Sequence, residues 1–201
     1  MAFLRAGIVA DGAAVIEGHG VWLRPPQLGD YAAWAELRAM SRAHLVPWEP
    51  AWPRDDLTKS AFRRRLRHYH REARDDLGYA FSIFGVADDR LVGGLTLSNV
   101  RRGVSQAATL GYWLGLPYVR RGLMTEAVRA LVPYAFDVLR LHRIEAAVQP
   151  NNCASIRVLE RLGFTREGYA CSYLKINGAW QDHVLFALLA GERRPAEAPS
   201  P

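Results

Sequence analysis

Residues 117–127, PYVRRGLMTEA, gather in one short junction the groups that hold a phosphate. Arg120 and Arg121 precede Gly122, and an apolar helical pattern begins at once. The first turn of a helix leaves backbone N–H groups unpaired and carries partial positive charge. A glycine at that point lets an anion's oxygens approach the backbone, and the arginines add charge and donors. That is the chemistry of a pyrophosphate site. No Gly-Lys-Ser/Thr follows, so it is not a P-loop, and G-x-G-x-x-G is absent. The plainer alternative is an ordinary strand-to-helix turn.

The elements that must position this junction are legible as a mixed α+β order. A strand, HGVWLRP, is followed by a helix from Asp30, with Asp30 as its N-cap. A loop rich in tryptophan and proline, VPWEPAWP, leads to a basic amphipathic helix over 54–74, with Leu57, Ala61, Leu66, Tyr69 and Ala73 on its apolar side. Two strands, GYAFSIFGVA and LVGGLTLSNV, form a hairpin about Asp88-Asp89-Arg90. A third, ATLGYWLG, runs into the junction, and Pro133 bends the helix beyond it. RIEAAVQ is then a strand parallel to the third, NNCASIRVLERLG a helix, and the last two strands turn at Asn177-Gly178.

Half of the 201 residues are hydrophobic and 23% are charged, which suits one domain with a real core. Residues 1–19 read as a short extension without a signal-peptide pattern, 20–190 as the domain, and 191–201 as a fraying tail. No apolar run is long enough to cross a membrane. Cys153 and Cys171 form no metal or disulfide pattern, no metal is expected, and the chain reads as cytoplasmic. Of the net charge of +6, most lies in residues 54–74, which hold eight lysines and arginines against three acids. This is either a solvated helix face or a docking surface for RNA, ribosome or an acidic partner.

With GYWLGLPYVRRGLMTEAVRAL, N-x-x-S-x-x-V-L-E-R-L-G-F and the closing G-x-W-x-D-H in this order, residues 20–190 resemble the GNAT superfamily of N-acyltransferases. The blocks look most like its ribosomal-protein N-terminal acetyltransferase branch. The resemblance implies a mixed, mostly antiparallel sheet flanked by helices, with a splayed parallel strand pair forming the acyl-CoA cleft. It implies acetyl-CoA as co-substrate: the backbone of Tyr112, Trp113 and Leu114 would pair with its pantetheine arm. Backbone N–H groups from Arg120 through Arg121, Gly122 and Leu123 to Met124 would hold the pyrophosphate, and Thr125 would add a hydroxyl. Asn152 would bond the pantetheine region and Ser155 would lie near the thioester sulfur. Val119 and Met124 depart from the superfamily's usual phosphate loop without removing a backbone donor.

The reaction so implied is attack of a neutral amine on a thioester. An α-amine has a reference pKa of about 7.7–8.0 and a lysine about 10.4, a difference of roughly 3.4 kcal/mol in deprotonation. An enzyme acting on N-termini therefore manages with a modest base or with water. Relatives that carry a motif-helix tyrosine as acid have it where this chain has Leu159, so Ser155 is the substitute acid. The branch suggests Glu167 as base, and Glu145 is its rival beside the cleft. Trp48 and Trp52 are candidates to line an acceptor groove. The expected acceptor is a protein N-terminus, with ribosome or RNA docking through the basic helix and a monomeric or dimeric enzyme. A small-molecule amine acetyltransferase, or a weakly catalytic CoA- or RNA-binding module, are the competing readings.

Overall fold

The computed structural model describes residues 15–192. Eight strands form one sheet: β1 (Ile16–Gly18), β2 (Val21–Arg24), β3 (Tyr79–Gly85), β4 (Leu91–Arg101), β5 (Ala107–Leu114), β6 (Arg143–Val148), β7 (Thr165–Ile176) and β8 (Ala179–Leu189). Their order is β1-β2-β3-β4-β5-β6-β8-β7, and every neighbouring pair is antiparallel except β5–β6. The sheet thus starts inside the stretch read as an extension. The turn at Asn177-Gly178 has φ of 44° and 84°, the left-handed pair that a two-residue hairpin requires.

Strand alternation divides the helices between two faces. Ile144, Ala146 and Val148 of β6 are buried with α4 (Leu123–Pro133) and α5 (Cys153–Arg161) in the larger core. The opposite face carries α1 (Tyr31–Met40), the single turn α2 (Arg42–Leu45) and α3 (Lys59–Arg74), packed through Trp34, Leu37, Phe62 and Leu66 onto Phe84 and Leu91. The basic helix therefore starts later than its charge pattern suggested. Thr58 caps it by accepting the Ala61 N–H, and Asp55 and Asp56 fold back to pair with Arg64 and Arg65. Phe62 joins its buried side, while Ala73 is exposed.

Proline at 133 lacks the N–H that would continue the helix. The chain shifts there from α to a π turn over Tyr134–Val138, with Leu139 N–H reaching Tyr134 O at 3.0 Å. The expected bend is realised as this change of helix type.

Asp30 precedes α1, but its side chain makes no cap. The carboxylate instead takes both Arg24 guanidinium nitrogens, at 2.9 and 2.6 Å, and the Gln27 N–H at 2.7 Å. Asp30 is buried, and Arg24 lies 4.5 Å over the Phe84 ring. Removing one member of such a pair strands the other charge, at a cost of about 3 kcal/mol. For a domain of this size Asp30→Ala should lower the Tm by roughly 6–12 °C. A shift under 2 °C in a thermal melt would remove the pair from the account.

Candidate functional site

The parallel pairing of β5 and β6 is short. Ala107, Ala108 and Thr109 face Arg143, Ile144 and Glu145; beyond them Leu110–Leu114 and Ala146–Val148 part. Among the described residues the backbone of β5 on that side, including Tyr112, Trp113 and Leu114, has no strand partner, and a wedge opens through the sheet. Tyr112 closes its α4–α5 side: the phenol donates to the Ser155 carbonyl at 3.2 Å, and burial pushes its pKa up to about 12.

The phosphate-type junction lies past the end of β5. Arg120 and Gly122 both adopt left-handed backbone, with φ of 63° and 78°. No side chain caps the start of α4, so the amides of Leu123, Met124 and Thr125 keep the helix N-terminus free. Arg120 and Arg121 are exposed, and neither has a carboxylate partner among the described residues. Met124 points into the core, as its departure from the family loop requires, and Thr125 is largely buried as well. These features fit an anion of pyrophosphate size.

Asn152 is the N-cap of α5: its Oδ1 accepts the Ser155 N–H at 3.1 Å. Its amide nitrogen is not used in that cap. Ser155 sits one turn in and is half-buried, while Leu159, where a tyrosine would stand, is completely buried.

The two candidate bases meet on one arginine. Arg143 donates to Glu145 at 2.8 Å and forks onto Glu167, one arm at 2.9 Å; Arg101 takes the other Glu145 oxygen. For Glu145, burial raises the pKa but the arginine hydrogen bonds together outweigh it, and the result is lowered. The Arg143 hydrogen bond lowers Glu167 likewise. Held as ionised partners of arginine beside the strand-paired end of β6, both are poorly suited to take a proton at neutral pH. That geometry moves them from candidate bases to a charge cluster that ties β4, β6 and β7.

On the other side of the sheet the wedge meets a cavity of about 350 Å³. Gly94 and Gly111 are part of its floor, and a side chain at Gly94 would collide with the Trp113 ring. Trp34, Phe62 and Tyr69 give it aromatic walls; Arg38, Glu49 and Arg65 give it charge. Arg38 is 4% exposed and lies 5.7, 4.2 and 5.1 Å from the ring centroids of Trp34, Trp52 and Trp113. Its terminal nitrogens bond both Glu49 oxygens, at 3.1 and 2.6 Å. Of the two loop tryptophans, Trp52 thus supports the arrangement from outside, and neither it nor Trp48 lines the cavity. The Arg38–Glu49 pair was not visible in the sequence; its one signal was an acid set between two tryptophan-proline pairs.

Residues 21–165 match the model of the acetyltransferase (GNAT) domain. The chain belongs to this family. A probable N-acetyltransferase of Bacillus subtilis, YjcK, is 39% identical over 175 residues, 87% of this chain and 97% of that protein. The ribosomal protein uS5-alanine N-acetyltransferase of Escherichia coli is 37% identical over 168 residues, 83% and 87% of the two chains. The structure of Mycobacterium smegmatis RimJ, in complex with a CoA-disulfide, superimposes with a TM-score of 0.83 at 34% identity, covering 90% of this chain and 88% of that one. This GNAT protein is an acetyl-CoA-dependent N-acetyltransferase, and its mixed sheet with a single parallel pair is the family fold. Among the described residues no three metal-binding side chains converge, and no helix is long and apolar enough to cross a membrane.

Proposed function

We propose that this enzyme acetylates the N-terminal α-amine of a protein, foremost a ribosomal protein in the cytoplasm. The observation that carries this reading is a wedge with two differently built entrances. The α4–α5 side offers an uncapped helix N-terminus with two arginines that have no carboxylate partner among the described residues; the α1–α3 side offers a half-open cavity with room for the first residues of a chain. The 37% identity to a ribosomal-protein alanine N-acetyltransferase supports the acceptor class.

Acetyl-CoA brings an acyl group activated as a thioester. Backbone amides from Arg120 to Met124 hold its pyrophosphate, with the Arg120 and Arg121 charges beside them. The open edge at Tyr112, Trp113 and Leu114 takes the pantetheine amides, and the Asn152 amide donates to the same arm. The Ser155 hydroxyl would give a proton to the departing CoA thiolate. The acceptor gives its proton to water, because an α-amine needs no strong base.

That account sets the pH dependence. Below about pH 8 the neutral amine fraction rises tenfold per pH unit, so kcat/KM for the acceptor should climb with that slope and flatten above the amine's pKa. Glu145 and Glu167 titrate below the ordinary carboxylate range, so they contribute no inflection between pH 6 and 9. Their contribution to stability is present above the unfolded-state value and is lost as pH falls through the lower folded one. A bell with an acid limb near pH 6.5 would indicate a protein base instead.

The outward face of α3 carries Lys59, Arg63, Arg67 and Arg71, none paired with an acid among the described residues. We assign this stripe to docking on ribosomal RNA that presents the acceptor. Reversing Arg63, Arg67 and Arg71 to glutamate should cut acetylation of a subunit-bound acceptor more than tenfold and leave that of its isolated N-terminal peptide unchanged. Equal losses on both would refute the docking role.

The proposal as a whole is tested by comparing N-terminal peptides from cells with and without this protein. An unacetylated ribosomal N-terminus should appear in its absence. If no N-terminus changes, and a metabolite amine does, the acceptor class is wrong.

A further inference from the structure

We propose that Glu49 is the anchor for the acceptor's α-ammonium, fixed for that purpose by a tryptophan-caged Arg38. The assignment rests on the α-amine reading above and names the group that would recognise the amine. Among the described residues Glu49 is the one carboxylate on the cavity wall. Its loop is fastened from both sides of the wedge mouth. From the end of β6, Gln149 donates to Pro47 O at 3.0 Å; from the β7–β8 turn, the Asn177 N–H donates to Glu49 O at 2.9 Å. The acid therefore stands where β6, the hairpin turn and α1 converge on the acceptor entrance.

The hydrogen bonds from protein groups leave part of this carboxylate open to the cavity. An ionised carboxylate offers about four acceptor sites. Arg38 uses two, at 3.1 and 2.6 Å, and Trp52 Nε1 a third, at 2.7 Å. The side chain remains 21% exposed. An ammonium group entering the cavity can donate to the open carboxylate oxygen and brings the opposite charge; it gives one proton to water before the amine attacks the thioester. Arg38 cannot swing away to quench or release it, because Trp34, Trp52 and Trp113 surround its guanidinium. Arg38 is thus a positioning residue: its two hydrogen bonds keep Glu49 aimed, and the acceptor finds a site that needs no rearrangement. A blocked N-terminus, which has neither the charge nor the extra donors, gains nothing from it.

Binding of one peptide with a free N-terminus and of the same peptide N-formylated is compared by calorimetry on the full chain saturated with CoA. The wild type should bind the free amine about tenfold more tightly at pH 6.5. Glu49→Gln should erase that preference and raise the acceptor KM by about tenfold or more, leaving the acetyl-CoA KM within twofold. Preference for the free amine should also fade in the wild type as pH rises through 8 and the ammonium is lost, a result independent of any variant. Trp52→Phe, which frees one carboxylate site and keeps the charge, should retain the preference. A preference that survives Glu49→Gln, or that is flat from pH 6 to 10, overturns the assignment. A wild type that acetylates no α-amine overturns the underlying reading instead, so the two failures are distinguishable.

Discussion

Gly122→Glu is expected to raise the KM for acetyl-CoA about 100-fold, with kcat at saturating donor falling far less. Two effects add. Gly122 has φ of 78°, a conformation that costs an ordinary L-residue about 1–2 kcal/mol. The new carboxylate would stand at the uncapped start of α4, in the field meant for a pyrophosphate. Together they reach the roughly 2.7 kcal/mol that a hundredfold change requires. Gly122→Ala separates the two. Nothing lies within 4 Å of a Cβ built there, so alanine brings strain without a clash and should cost tenfold or less. A glutamate variant with an unaltered acetyl-CoA KM would mean that the phosphate is bound elsewhere.

Arg38→Ala should be among the most destabilising single changes outside the main core, at about 3 kcal/mol by urea denaturation. It removes both bonds to Glu49, the contact with three tryptophan rings, and the cation that faces Asp56 Oδ2 at 3.9 Å. Among the described residues that aspartate oxygen has no hydrogen-bond partner, and neither has Arg38 Nε. The cluster thus has little to spare if its central charge goes. Arg38→Met keeps much of the packing against the rings and should recover part of the loss. Its acceptor KM should stay high, because Glu49 is no longer aimed. A loss under 1 kcal/mol in the alanine variant would show that the cage carries little of the fold's stability.

The local geometry of the proposed donor side was legible in the sequence because its signals are local. Gly122 next to two arginines at a strand-to-helix junction, and Asn152 three residues before Ser155, encode their geometry within a turn of chain. Asn177-Gly178 encodes a hairpin in the same way. What could not be read depends on partners distant along the chain. Tyr112 was expected to contribute backbone, yet its phenol reaches a carbonyl 43 residues away. Glu145 and Glu167 look like free bases until the sheet brings Arg143 and Arg101 to them. Asp30 has the residue type and position of an N-cap; here the competing partner is near in sequence, but the Arg24 guanidinium six residues earlier offers two charged donors and wins. Much of the acceptor side is of this kind. Its cavity exists because α1 and α3 cross strands whose glycines leave room, a fact of packing between segments.

The central claim is that the acceptor is an α-amine at a chain terminus. The most direct measurement is acetyl transfer from acetyl-CoA to two peptides of one ribosomal N-terminal sequence, each containing a lysine, one with a free N-terminus and one blocked. Mass mapping should place acetyl on the α-nitrogen of the first peptide, with the second unmodified at neutral pH. Comparable modification of both peptides through the lysine would contradict the account.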